Sequence, residues 1–156
     1  YMRAHVTRFE GDPGSKPADV YEIKVEGIPR PQGSKTLGMA KSGRVYMREA
    51  NKYLYEWRKK VNLAAVLYCR SRGFRPTNRP VSLSVVFVLP RPGRPRYREP
   101  GTKPDLSKLV RAVEDALTGV FYRDDALIVY TSSEKVYEKA GVQPCVFICV
   151  TNARPR

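Results

Sequence analysis

The sequence predicts an α+β domain, in which a mixed sheet of about four to six strands is combined with two main helices. Two observations support this fold class. Short runs of β-branched and apolar residues, separated by turn residues, predict strands at several points of the chain. The segments 49–72 and 105–119 repeat apolar residues every three or four positions, which is the helical period. The 156 residues fit one domain, which we place at 20–152, after a flexible leader (1–19) and before a short tail (153–156).

The first half of the domain is predicted to contain two strands and a long helix. Residues 20–28 alternate apolar and polar side chains, as a half-buried strand does. Residues 36–48, around Gly38 and Gly43, are either a hairpin or a flexible loop. The segment 49–72 is the longest predicted helix, and it places an apolar stripe on one face: Tyr53, Trp57, Val61, Ala64 or Ala65, and Tyr68. This spacing favours a core face over a platform for base stacking. Residues 80–89 are a buried strand.

The second half begins with a basic loop, PRPGRPRYREPGTKP, at residues 90–104. Its five prolines exclude a helix or a central strand. A helix then begins at Asp105 and ends near Gly119, and its apolar face includes Leu106, Leu109 and Ala116. Two strands follow, at 126–137 and 142–150.

Charge is the main indication of a partner. Lys and Arg number 29 against 15 Asp and Glu, a formal net charge of +14. Polyanions attract such proteins, so nucleic acid is the first expectation and an anionic membrane surface the second. No run approaches the roughly 18 apolar residues that span a bilayer, and we expect no membrane partner. The three cysteines and one histidine have no zinc-ligand spacing, and the cysteines are expected to be reduced.

Several exposed basic positions are candidates for contact with a phosphate backbone. The loop 90–104 ends directly at Asp105, and its arginines flank Tyr97, which favours a functional loop over a disordered one. The segment around Gly38 and Gly43 is equally well explained as a solvated hairpin. The residues that we expect to contact DNA are Lys35, Arg44, Arg94, Arg96, Arg98, Lys103 and Lys108.

Four aspartates within a short stretch stand out in so basic a chain. Each has a simple structural explanation: Asp105 as a helix N-cap, Asp115 as the partner of Arg111 one turn away, Asp124 and Asp125 as turn residues. Like charges that the fold brings together usually persist where a cation neutralises them. We expect the start of the second helix to face the start of the next strand, which would bring Asp105 near Asp124 and Asp125. Such carboxylates suit Mg²⁺ and phosphodiester hydrolysis.

The stretch KPDLSKLVRAVEDALTGVFYRDDALIV resembles the signature of the RusA family of Holliday junction resolvases, which are common in bacteriophages and prophages. That signature is (K/R)-P-D-x-D-N-x-x-K, then D-A-L, then G-V and D-D-x-Q-V. By this resemblance Asp105 and Asp125 are catalytic metal ligands, and Asp124 is a supporting metal ligand. Arg111 stands at a catalytically important lysine, and Asp115 at the aspartate of D-A-L. VEGIPRPQGSK is similar to the family's first strand and loop.

The resemblance implies a homodimer that binds four-way DNA junctions in the cytoplasm of a bacterial host. There it would make paired Mg²⁺-dependent nicks, with Mn²⁺ as a substitute ion. Besides Arg111, three departures from the signature matter: Ser107 replaces the second aspartate, Lys108 replaces Asn, and Leu127 replaces Gln. A serine hydroxyl is a neutral and weak Mg²⁺ ligand. The second hypothesis is therefore a protein that binds branched DNA without cutting it. An RNA-binding module ranks last, because no RRM-type or KH-type signature is present. Glu114 is assigned no role.

Overall fold

The computed structural model describes residues 20–33, 35–49 and 52–152, so the predicted leader and tail lie outside the described residues. The described chain contains two long helices and six strands. In order these are β1 (Val20–Glu26), β2 (Lys35–Met39), β3 (Val45–Glu49), α1 (Lys52–Arg72), β4 (Val81–Leu89), α2 (Leu106–Leu117), β5 (Ile128–Tyr137) and β6 (Cys145–Asn152). The predicted α+β fold class is confirmed. The segment 36–48 is a hairpin rather than a flexible loop, because β2 and β3 pair antiparallel.

The main sheet has the strand order β1-β6-β4-β5 and is mixed, as predicted. β6 pairs antiparallel with both β1 and β4, whereas β4 and β5 are parallel. β5 therefore lies at an edge of the described sheet, and α2 is the crossover that joins it to β4. A parallel connection has to return along the length of the strands, and a helix is the usual way to do so.

The helices cover one face of the sheet and bury their apolar stripes there. On α1 the buried residues recur every three or four positions: Leu54, Trp57, Val61, Ala65 and Cys69. The predicted stripe is therefore right at its centre and wrong at its start, because Tyr53 is exposed and Leu54 packs in its place. On α2 the buried residues are Leu109, Val110, Ala112, Val113, Ala116 and Leu117. Phe87, Phe121 and Tyr122 fill the centre of the core.

The three cysteines, Cys69, Cys145 and Cys149, are free thiols. Burial raises the pKa of all three, which keeps them protonated and poor metal ligands. In the part of the chain that the structure describes, no helix is long and apolar enough to cross a membrane.

Candidate active site

Asp105 occupies the N-cap position of α2 but does not cap the helix with its side chain. Its backbone is extended, with φ −67° and ψ 133°, and its carboxylate accepts no capping hydrogen bond. The contact that the carboxylate makes is with Lys108, whose Nζ lies 3.4 Å from Oδ2. About half of the Asp105 side chain is exposed, at 47%. The simple N-cap explanation therefore accounts for the position of Asp105 and leaves its carboxylate available to a ligand.

The carboxylate of Asp105 lines a groove of about 750 Å³ at the N-terminal end of α2, which we name the Asp105 groove. Its walls are the segment 28–33 after β1, the end of β4, the loop 90–104 and the first turn of α2. Four cationic residues contribute to it: Arg30, Arg91, Lys103 and Lys108. Two of these, Lys103 and Lys108, were predicted from the sequence to contact DNA. A carboxylate can hold Mg²⁺ together with a substrate phosphate, and the cations around it can hold that phosphate.

Two residues that hold this groove in shape were missed by the sequence analysis. Lys135, near the end of β5, donates to the carbonyl oxygens of Thr102 (2.7 Å) and Pro104 (2.9 Å) and so ties the loop to the sheet. Gln32 donates its backbone N–H to the carbonyl of Lys108 (2.9 Å). The side-chain oxygen of Gln32 is buried and accepts no hydrogen bond from the described residues. No local sequence pattern marks either contact, because each joins segments that are far apart along the chain.

Asp124 and Asp125 differ in what their carboxylates do. Asp124 accepts a hydrogen bond from the backbone N–H of Ala126 (2.8 Å) and caps the short 3₁₀ turn Asp125–Leu127 that precedes β5. The turn explanation is therefore right for Asp124. Asp125 begins that turn and is exposed, and its carboxylate has no hydrogen-bond or ion-pair partner among the described residues. Of the two, Asp125 has the carboxylate that a ligand could use.

Other acidic groups lie around Asp125. Burial raises the pKa of Glu114, and the negative charges of Asp125 and Asp115 raise it further, while Arg111 lowers it. Tyr122, whose pKa burial and the same carboxylates raise, donates its hydroxyl to the backbone carbonyl of Glu114 (3.0 Å). Glu114 therefore interacts electrostatically with Asp125, and the sequence did not indicate this interaction.

Asp115 forms its ion pair with Arg58 on α1, and the prediction that it pairs with Arg111 is wrong. The pair joins the two helices, and both side chains are about one quarter exposed, at 27% and 26%. Asn62 of α1 adds a hydrogen bond to the carbonyl of Ala116 (3.0 Å). The helical spacing of Asp115 and Arg111 permitted their pairing, but the packing of α1 against α2 offers Asp115 a less exposed partner.

The expectation that one chain brings Asp105 next to Asp125 is also wrong. Asp105 precedes the first residue of α2, and Asp125 follows its last turn and begins the approach to β5. The 12 residues of α2 span about 18 Å, so the two carboxylates lie at opposite ends of the crossover. Accordingly, within residues 20–33, 35–49 and 52–152 no group of three or more His, Cys, Asp or Glu side chains is arranged to hold a metal ion.

Comparison with known proteins identifies the family. The model of the family described as "Endodeoxyribonuclease RusA" matches residues 24–148. The chain belongs to the RusA family of endodeoxyribonucleases. It is also 30% identical over 133 residues to "Uncharacterized protein YqaN" of Bacillus subtilis (strain 168), a match that covers 78% of this chain and 90% of that protein. The RusA match includes both ends of α2, and with them Asp105, Ser107 and Asp125.

Two further positions of the RusA signature, Ser107 and Arg111, are exposed. Ser107 lies in the first turn of α2 and Arg111 midway along the helix. Of the basic residues predicted to contact DNA, Arg94, Arg96 and Arg98 are exposed in the loop 90–104, and the Arg96 guanidinium lies 5.3 Å from the centre of the Tyr97 ring. Arg44 is exposed between β2 and β3, and the side chain of Lys35 lies outside the described residues.

Proposed function

We propose that this protein is a structure-selective endodeoxyribonuclease that resolves four-way DNA junctions by paired, Mg²⁺-dependent hydrolysis of phosphodiester bonds. The observation that carries the proposal is the carboxylate of Asp105, which is not used to cap α2 and stands in a cationic groove. Membership of the RusA family and the net charge of +14 support a DNA substrate. The bacterial relative agrees with an origin in a bacterium or its phage, and we place the activity in the cytoplasm of the host cell.

The residues of the chain fit a magnesium ion. Mg²⁺ commonly uses one or two carboxylates together with substrate phosphate and water. Asp125 supplies a carboxylate that contacts no described residue, and Asp105 supplies one that contacts the Lys108 ammonium. Asp124 is engaged with Ala126, and Ser107 adds at most a neutral hydroxyl. A metal bound there would activate the attacking water and neutralise charge on the phosphate. Because one chain keeps Asp105 and Asp125 apart, we propose that the second carboxylate comes from another copy.

An antiparallel homodimer along β5 would bring the two carboxylates together. β5 is an edge strand of 10 residues in the described sheet. Asp125 lies just before its start, and Lys135, which contacts the end of the loop 90–104, lies near its end. A two-fold axis between two paired β5 strands places the start of β5 in one copy beside the end of β5 in the other. Val129 and Tyr130 are exposed on β5, at 64% and 43%, and would become covered. Two such sites per dimer match two opposed strands of a junction.

The cations of the groove have separate roles in this proposal. Lys108 and Lys103 hold the backbone of the strand to be cut, and Arg94, Arg96 and Arg98 contact phosphates farther from the cut. Arg111 neutralises charge that develops on the scissile phosphate, with a planar fork in place of the lysine of the signature. Lys108 would first have to release Asp105, because its ammonium lies 3.4 Å from a carboxylate oxygen that a metal would use.

The second candidate is a branched-DNA-binding protein that does not cut, and Ser107 and the Lys108–Asp105 contact favour it. Nicking of a synthetic four-way junction separates the two functions. We expect symmetric nicks that require Mg²⁺ or Mn²⁺ and disappear in Asp105→Asn. Tight junction binding without nicks over the whole range of both ions would support the binding protein instead. Duplex DNA of the same arm sequence is the substrate control.

A further inference from the structure

A second cationic groove lies between the end of β1 and α1, outside the set of residues assigned to DNA above. It has a volume of about 510 Å³, and we name it the α1 groove. Gly27 and Arg30 form one wall, and α1 forms the other with Tyr53, Trp57, Lys59 and Lys60. Glu56 also lines the groove, so cations outnumber the acid three to one. The excess of positive charge points to an anionic ligand.

The cations of the α1 groove are not neutralised by neighbouring carboxylates. Lys59 and Lys60 form no ion pair within the described part of the chain. Arg30 stacks its guanidinium 5.0 Å from the centre of the Tyr53 ring, which leaves the edge of the guanidinium free to donate. The Lys60 ammonium lies against the backbone at Gly27, where an added Cβ would be 3.2 Å from Nζ. Gly27 has φ +128°, so a larger residue is disfavoured there and the space for the ammonium is kept.

Trp57 adds an unsatisfied donor to the same wall. Its side chain is 4% exposed, and its indole Nε1 is buried without an acceptor among residues 20–33, 35–49 and 52–152. A buried N–H group without a partner is uncommon in folded proteins. Arg30, Lys59 and Lys60 would attract a phosphate group to the wall that contains this side chain.

The α1 groove adjoins the Asp105 groove, because Ile28 and Arg30 line both. We propose that the α1 groove binds the phosphate backbone of the DNA arm adjoining the cut, so that the strand runs from Asp105 past Arg30 to Lys59 and Lys60. This inference rests on the proposed DNA substrate but not on cleavage. It gives α1 a role in holding the substrate in addition to its role in the core.

The experiment uses Trp57 as a built-in probe, since the chain contains one tryptophan. Short duplex DNA and the four-way junction are titrated into the protein while indole fluorescence and DNA anisotropy are both recorded. The Lys59→Ala/Lys60→Ala variant tests the groove. Arg70→Ala is the matched control, because Arg70 is an exposed cation in the last turn of the same helix. Asp105→Asn is included to separate binding from cleavage.

We expect DNA to change the Trp57 fluorescence in the unaltered chain, in Asp105→Asn and in Arg70→Ala. In the double lysine variant the affinity should fall. The slope of log affinity against log salt should also shrink by about 1.8, because each lost phosphate contact removes about 0.9. DNA binding seen by anisotropy without a change in Trp57 fluorescence would overturn the proposal. A salt slope that is unchanged in the double lysine variant would also overturn it. So would the absence of any DNA binding. If the chain binds DNA through the α1 groove but never cuts, the proposed nuclease activity is refuted and the proposed α1-groove site is supported.

Discussion

The ammonium of Lys108 lies 3.4 Å from the carboxylate of Asp105, three residues earlier on α2. In the RusA signature an asparagine stands at this position, so the contact arises from a departure of this chain from that signature. Two of the departures from that signature therefore act on the same carboxylate site, since Ser107 removes a negative charge and Lys108 neutralises part of what remains. Both changes lower the attraction of this end of α2 for a cation.

Replacing Lys108 with asparagine should strengthen metal binding at Asp105. An exposed ion pair is worth at most about 1 kcal/mol, so the Mg²⁺ concentration for half-maximal cleavage should fall by up to about fivefold. A Mg²⁺ titration of junction nicking measures it. Lys103→Asn is the matched control, because Lys103 lines the same groove without forming an ion pair with a described residue. An equal shift in both variants would mean that the effect is general electrostatics.

Introducing the missing carboxylate should raise the rate of cutting. In Ser107→Asp a second acidic ligand lies two residues from Asp105, and we expect the single-turnover rate at fixed Mg²⁺ to increase about tenfold, which corresponds to about 1.4 kcal/mol. Ser107→Asn has a similar shape without the charge and should change the rate little. A rate that Ser107→Asp leaves unchanged or lowers would argue against a metal site at this end of α2.

Mixing two inactive variants should restore activity if the site is shared between copies. A mixed dimer of Asp105→Asn and Asp125→Asn chains has one intact site when the two carboxylates come from different copies. Random pairing should then yield about a quarter of the wild-type sites in a two-fold dimer. The measurement is nicking of one junction strand after the variants are refolded together. If each site used both aspartates of one chain, no mixture would regain activity.

The Arg58–Asp115 pair should stabilise the packing of the two helices. Because both side chains are about three-quarters buried, a double-mutant cycle with Arg58→Ala and Asp115→Asn should give a coupling energy of about 1–2 kcal/mol. The measurement is urea unfolding of the single and double variants. The cycle of Arg111→Ala with Asp115→Asn is the control and should give a coupling close to zero. The reverse result would restore the pairing predicted from helical spacing.

Glu114 should make the fold less stable as the pH rises. Its pKa is raised in the folded chain above the ordinary value of 4.5, chiefly by burial, so the folded state holds the proton more tightly than the unfolded state. Its contribution is complete below that ordinary value and is lost as the pH rises through the raised pKa. Glu114→Gln should remove this part of the pH dependence, as measured by thermal unfolding without divalent ions. Glu56→Gln, on an exposed face of α1, should not.

Much of the fold follows from local patterns in the sequence. The apolar period along α1 and α2 and the β-branched run of β4 predicted these elements to within a few residues, because each buries one face against a common core. The start of α1 was misjudged, since Tyr53 and Leu54 both fit a helical stripe. Packing against the sheet selects Leu54 and leaves Tyr53 at the α1 groove.

The candidate site was less predictable, because its geometry depends on strand direction. The sequences of residues 80–89 and 126–137 do not indicate whether the two strands are parallel or antiparallel. Once they are parallel, α2 has to carry the chain from the end of β4 back along the strands to the start of β5, and Asp105 is separated from Asp125. The contacts of Lys135 and Arg58 are likewise between segments distant in sequence. The residue types of the site were recognisable, but their distances required the topology.

The two hydrogen bonds from Lys135 to Thr102 and Pro104 have a mechanical consequence. They fix the residues just before Asp105 to a strand whose outer edge pairs with no other strand of the described sheet. In the proposed dimer, a second copy would pair with that strand and stiffen the support on which the carboxylate stands. Cleavage would thus require dimerisation, since a single chain would present a loosely held and incomplete set of metal ligands.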